Sequence, residues 1–264
     1  MSLYNEICTS KMFFIAGPCV LDTDSNADKI AQKIVQLKEK YKIPFIFKAS
    51  FDKANRQAVD SYRGIGFEKS AEVLSRISKE YQLPILTDIH ESCQAELVSF
   101  ADVIQIPAFL CRQTDLLLAA GKTNKIVNIK KGQFVSAEQM LDSAKKVLST
   151  GNKNVMLTER GTFFGYGDLV VDFRNITKMK KAGLPVIFDA THSVQKPGAK
   201  GSTSGGEKEF IKSYACAAVE FGANGIFMEV HPEPETALCD GPNSLNLVEF
   251  EDVVSSVIKR VIGA

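Results

Sequence analysis

The chain lacks most of the features that would place it in a specialised class. Its charge is nearly balanced, with 32 Lys and Arg against 31 Asp and Glu, a net of +1 over 264 residues. No global field therefore draws it to nucleic acid or to an anionic membrane, and any anion binding must come from local clusters. No apolar run approaches the roughly twenty residues needed to cross a bilayer. A secretory leader is not expected, because Lys11 precedes only the short apolar run from Met12 to Ala16. The six cysteines include no Cys-x-x-Cys pair, so reduced thiols and a cytoplasmic location are expected. The glycine fingerprint of a dinucleotide-binding open sheet is also missing: the first apolar run ends Ala16-Gly17-Pro18-Cys19. With no repeat, low-complexity tract or linker, residues 1–264 read as one domain.

What is present is a regular alternation. Short apolar runs lie at Phe13–Ala16, Phe45–Lys48, Ile85–Thr87, Val103–Ile106, Ile126–Ile129, Val155–Thr158, Val186–Asp189 and Gly225–Glu229. Helical periodicity falls between them, at Ala27–Lys40, Phe67–Tyr81, Gln94–Ser99, Asp115–Ala120, Ala137–Leu148 and Lys208–Phe221. Ser136 with Gln139 has the spacing of a helix start. Eight such units in a chain of this length predict an α/β protein of the (β/α)8 TIM-barrel type, with a doubly wound open sheet as the rival.

In a barrel, chemistry collects at the C-terminal strand ends, and polar residues follow every predicted strand here. The densest stretch is Phe45-Ile46-Phe47-Lys48-Ala49-Ser50-Phe51-Asp52-Lys53-Ala54-Asn55-Arg56, where a buried strand delivers three cations to one end of the sheet. With Lys130, Arg160 and Arg112 these cations form a set able to grip two phosphates, or a phosphate and a carboxylate. A second set, Cys19, His192, Glu229 and Asp240, offers thiolate, imidazole and carboxylate donors suited to a borderline divalent metal such as Zn2+ or Fe2+. Strands one and eight adjoin in a closed barrel, so these donors can converge. Single Cys and His residues are also common as core or loop residues, and spacing alone leaves both readings open. The Gly-rich segment from Lys196 to Glu207 reads as a lid, as a phosphate-binding helix start at Gly205-Gly206, or as a plain connection.

The motifs IAGPC (15–19), FKASFDKANR (47–56), TDIHE (87–91), QIPAFLCRQTD (105–115), NIKKGQF (128–134), TERGTFFGY (158–166), DATHSVQ (189–195) and MEVHPEP (228–234) run through nearly the whole chain. In this it resembles the 3-deoxy-D-manno-octulosonate 8-phosphate (KDO8P) synthase family. The resemblance implies a homotetrameric (β/α)8 barrel condensing phosphoenolpyruvate (PEP) with D-arabinose 5-phosphate in lipopolysaccharide biosynthesis. It implies that Lys48, Ser50, Lys53, Gln105, Ala108, Lys130 and Arg160 surround PEP. Asn55, Arg56 and Asp88 would hold the sugar phosphate, with Phe109 and Arg112 reaching in from a neighbouring subunit. Catalytic roles are expected for Lys53, Asn55, Asp88, Lys130 and His192, and a binding role for Gln195. Cys19 follows Ala-Gly-Pro where metal-independent members carry Asn, which implies a divalent metal (Zn2+, Fe2+ or Mn2+) on Cys19, His192, Glu229 and Asp240. The chain departs from the family at Gln57-Ala58, where two serines are common and the first contacts the sugar phosphate. DAHP synthase, which uses erythrose 4-phosphate and reads Lys-Pro-Arg near Lys53, is one alternative. A Schiff-base aldolase using Lys48 or Lys130 is another.

Overall fold

The computed structural model describes residues 1–56, 58–200 and 203–263. Gln57 therefore lies outside the described residues. Eight parallel strands close into a barrel: β1 Phe13–Gly17, β2 Phe45–Lys48, β3 Ile85–Asp88, β4 Val103–Ile106, β5 Ile126–Lys130, β6 Val155–Glu159, β7 Val186–Asp189 and β8 Gly225–Glu229. They pair in sequence order, and β1 closes against β8 with Phe13 opposite Gly225 and Gly17 opposite Glu229. All eight strands are buried along their length, which is why they read as short apolar runs rather than as alternating ones.

Residues two apart on a strand face the same side, and the interior shows this as layers. Ile15, Ile46, Leu86, Val103, Ile126, Met156, Ile187 and Phe227 pack in one apolar cluster inside the barrel. Two residues further along each strand stand Gly17, Lys48, Asp88, Gln105, Asn128, Thr158, Asp189 and Glu229. An apolar floor thus lies directly under a polar layer. The larger outer cluster joins the opposite strand faces to the helices.

The barrel is ringed by α2 Asp24–Tyr41, α3 Phe67–Tyr81, α4 Gln94–Leu97, α5 Thr114–Lys122, α6 Ala137–Leu148, α7 Arg174–Lys180, α8 Ile211–Glu220 and α9 Leu247–Gly263. The start of α6 is a reciprocal capping box: the Ser136 side chain accepts from Gln139 N and the Gln139 side chain accepts from Ser136 N. The short helix α1, Leu3–Thr9, closes the N-terminal mouth, with Ile7 in the floor cluster and Tyr4 donating to Val155 O at 3.0 Å.

Two antiparallel strand pairs decorate the C-terminal face, Thr162–Phe164 with Asp168–Val170 and Gln195–Lys200 with Thr203–Gly206. In the second, Gly205-Gly206 belong to a strand, which removes the reading of that pair as a phosphate-binding helix start. Asn243 Nδ2 donates to Gly205 O at 3.1 Å, and a Cβ on Gly206 would meet Asn243 Oδ1 at 1.5 Å, so the glycine serves close packing. The helix itself begins later, after a 3-10 turn over Lys208–Phe210.

Gly17 is demanded in the same way, since a Cβ there would sit 1.9 Å from Lys48 O across the β1–β2 seam. Backbone cannot give way as a side chain tip can. Gly17→Ala is expected to cost about 3 kcal/mol or more in urea unfolding, the upper range of overpacking penalties. A midpoint unchanged from the parent chain would contradict this.

Candidate active site

The polar layer opens into a cleft of about 270 Å³ at the C-terminal end of the barrel. Of the residues expected from the sequence, it is lined by Lys48, Lys53, Asn55, Arg56, Asp88, Gln105, Ala108, Phe109, Lys130, Arg160, His192, Gln195, Glu229 and Asp240. Residues from all but the first strand end therefore meet in one place. Cys19, at the end of β1, joins from below: its Sγ lies 3.3 Å from Asp240 Oδ2.

Ser50 and Arg112 stand outside this cleft. Ser50 is fully buried in a parallel bridge with Val20, which ties the loops after β1 and β2 together. Arg112 is exposed, and its carbonyl accepts from Lys146 Nζ at 2.9 Å. His90, Gln133 and Cys239 line the cleft although no site role was assigned to them from the sequence. His90 sits within a matching motif and was the most findable of the three. Cys239 had no signal beyond its place beside Asp240.

The centre of the cleft is a chain of charges. Lys48 Nζ donates to Cys19 O at 2.7 Å and lies 3.5 Å from Glu229 Oε1. Lys130 Nζ stands 2.5 Å from Asp189 Oδ2 and 3.9 Å from the centre of the Phe227 ring. Burial pushes the Lys130 ammonium below the ordinary lysine value, with Asp189 opposing. For Glu229, burial acts upward, but the charges of His192, Lys48 and Lys53 outweigh it and bring the carboxyl down to about 2. Arg160 donates from Nη2 to Gln195 Oε1 at 3.0 Å, while its Nη1 is buried with no partner among the described residues. Buried donors are normally satisfied, so an unpartnered guanidinium nitrogen beside Lys130 is what an anion site looks like.

Arg160 is held from behind. Glu159 Oε1 accepts from Arg160 N at 3.1 Å and Gly161 N at 2.7 Å, and the fully buried Lys131 donates to Gly161 O at 2.9 Å.

Asp88 and His90 face each other at 3.3 Å. Burial acts to raise the Asp88 carboxyl, but the His90 hydrogen bond and charge, with Lys48 and Lys53, hold it far below the usual carboxylate range. A depressed carboxylate contributes stability above its unfolded value, about 4, and that contribution is lost as pH falls through the folded value. Asp88→Asn should therefore show a shallower loss of urea stability between pH 5 and pH 3 than the parent. Equal slopes would contradict the assignment.

The four expected metal donors fall into two adjoining groups. His192, Glu229 and Asp240 place donor atoms within 4.8 Å of one another, and so do Cys19, Cys239 and Asp240. Asp240 belongs to both groups and joins them. His192 Nδ1 lies 2.7 Å from Asp189 Oδ2 and Nε2 lies 3.5 Å from Glu229 Oε1. A carboxylate behind one ring nitrogen, leaving the other for the site, is the usual setting of a metal-binding histidine. Glu229 Oε2 is buried with no partner among the described residues. Burial raises the Cys19 thiol, and the adjoining Cys239, 3.1 Å away, raises it further. The Lys53 charge acts the other way, and a cation bound among these donors would favour the thiolate further. The donor set fits a borderline divalent ion.

Residues 8–261 match the model of the DAHP synthetase I family. A 2-dehydro-3-deoxyphosphooctonate aldolase of Syntrophotalea carbinolica is 49% identical over 250 residues, 94% of this chain and 89% of the relative. Those of a Cyanothece species and of Rickettsia typhi are 50% and 46% identical, each spanning over nine-tenths of this chain (92% and 93%) and 90% of the relative. The chain therefore belongs to the DAHP synthetase I family, within the group of 2-dehydro-3-deoxyphosphooctonate aldolases, the KDO8P synthases.

Proposed function

We propose that the chain condenses PEP with D-arabinose 5-phosphate and water, giving KDO8P and inorganic phosphate. The observation that carries this reading is one cleft holding a buried cation cluster (Lys48, Lys130, Arg160) beside a separate polar flank (Asn55, Arg56, Asp88). The first suits the phosphate and carboxylate of PEP and the second a sugar phosphate. PEP C3 attacks the sugar aldehyde, water adds at C2, and the resulting hemiketal phosphate releases phosphate by C–O cleavage. Most of the task is to bring two multiply charged anions together and to hold charge as it develops.

In this reading Lys48, Lys130 and Arg160 neutralise PEP, with Gln105 and Ala108 along its side. Lys53, 4.0 Å from Glu229, bridges the two flanks. Arg56 donates from Nη1 to Cys239 Sγ at 3.0 Å, and this contact must yield when the sugar phosphate arrives. Asp189 orients His192, and Gln195 orients Arg160. Cys19, His192, Glu229 and Asp240 would hold a divalent metal (Zn2+, Fe2+ or Mn2+). Such an ion supplies a Lewis acid that polarises the aldehyde or activates the water.

A homotetramer in the cytoplasm belongs to the same proposal. Arg112 would then act on a neighbour's cleft. The exposed aromatic rings of Phe134, Phe163, Phe164 and Tyr166 beside the rim support such packing. No helix among the described residues is long and apolar enough to cross a membrane.

The test is phosphate release from PEP with each sugar, before and after chelation. Release with arabinose 5-phosphate but not erythrose 4-phosphate, lost on chelation, supports the proposal. Preference for the four-carbon sugar would return the chain to DAHP synthesis. One observation favours a second reading: a buried lysine with a depressed pKa is what a Schiff-base enzyme uses, and Lys130 is one. Borohydride trapping of a Lys130 adduct would establish it.

A further inference from the structure

Below the cationic rim, three neighbouring strands share a buried chain of hydrogen bonds of which the reaction above uses only the last member, Gln105. Thr158 on β6 donates from Oγ1 to Asn128 Oδ1 on β5 at 2.7 Å. Asn128 Nδ2 in turn donates to Gln105 Oε1 on β4 at 3.2 Å. Asn128 and Thr158 are fully buried, and Gln105 is 4% exposed, at the cleft wall.

Each link has a direction. A side-chain amide has one accepting end and one donating end. The Thr158 hydroxyl makes no other hydrogen bond among the described residues, so its proton goes to Asn128 Oδ1 and Asn128 has only its NH2 group to offer Gln105. Gln105 must then accept at Oε1, which leaves its Nε2 for the cleft, where no described residue accepts from it. An anion accepts hydrogen bonds and repels a carbonyl, so the orientation of this one amide decides whether Gln105 helps or hinders binding. Rotating the Gln105 amide by half a turn exchanges its ends at almost no steric cost, so something must forbid the rotation.

We propose that Thr158 and Asn128 are positioning residues that lock Gln105 as a hydrogen-bond donor toward the carboxylate or phosphate of PEP, with Thr158 setting the polarity of the whole chain. This rests on the PEP reading given above. Neither residue touches the ligand. Both act through Gln105.

The test measures PEP binding to the full chain by titration calorimetry, without sugar or turnover. Thr158→Val keeps the shape and removes the hydroxyl. It is expected to weaken PEP about threefold to tenfold, the worth of one hydrogen bond. Thr158→Ser should restore binding to within about twofold, since it returns the donor. In a Gln105→Ala chain the same Thr158→Val change should have almost no effect, because the group it acts through is gone. Equal losses in both backgrounds would mean that Thr158 acts on the barrel generally, and would overturn the proposal.

Should Thr158→Val fail to fold, Asn128→Asp provides a second arm. Aspartate keeps the shape but only accepts, which turns the Gln105 carbonyl toward the cleft. PEP should weaken more with Gln105 present than in the Gln105→Ala chain, and equal weakening overturns the proposal. A parent chain that binds no PEP removes the functional reading and this inference together. Intact PEP binding with additive losses removes the inference alone.

Discussion

Cys19→Ala should lower turnover by about a thousandfold and abolish its sensitivity to chelators, the several kcal/mol expected of a Lewis acid in such a reaction. The substitution is small. Cys19 is 4% exposed, and its carbonyl stays anchored by Lys48 Nζ at 2.7 Å, so the backbone after β1 keeps its place without the thiol. What is lost is the donor beside Asp240, the residue that also groups with His192 and Glu229. Metal content measured on the purified variant should fall with activity, while its melting curve in chelator matches that of the parent. A variant retaining full turnover in metal-free buffer would defeat the metal assignment and leave the substrate reading standing.

Lys130→Met should lower kcat/KM for PEP by about a thousandfold, because a buried cation aimed at developing charge is worth several kcal/mol. The chain should still fold. Asp189 loses Lys130 at 2.5 Å but keeps His192 Nδ1 at 2.7 Å, so its charge is not left alone in the interior. Lys130→Arg should not rescue activity. The ammonium stands 3.9 Å above the Phe227 ring centre and 2.5 Å from Asp189 Oδ2, and the longer guanidinium stacked on that ring would spread its charge past this point. Steady-state kinetics against PEP at saturating sugar decide the matter, and unchanged kcat/KM would remove Lys130 from the anion site.

The barrel was legible because its strands are buried on both faces and each surfaces as a compact apolar run. Their ends were less so. The apolar runs stop at Ala16, Thr87, Ile129 and Thr158, whereas the strands continue to Gly17, Asp88, Lys130 and Glu159. Those extra residues are glycine or charged, and a pattern built on apolarity drops them at the point where function begins. Three helices were missed for different reasons. Leu3–Thr9 buries only Ile7, and Arg174–Lys180 is short and basic. Leu247–Gly263 is rich in valine and isoleucine, which read as strand formers. The site residues were legible through their motifs, and the cleft gathers most of them. Ser50 and Arg112 show the limit: a motif fixes the neighbourhood of a residue, but not which way its side chain faces or which chain's cleft it serves.

The seam between β1 and β8 has a further consequence. Cys19 and Cys239 lie 220 residues apart in sequence and 3.1 Å apart in space, and Glu229 faces Gly17 across the same seam. During synthesis the first donor emerges early and the others only when the ring is nearly finished. A nascent or truncated chain therefore carries Cys19 without its companions. Any ion that needs all of them binds only the closed ring, and by mass action it works as a clasp against reopening. Loading of the site would thus report completed assembly, and depletion would be felt first as loosening between the earliest and the latest strands.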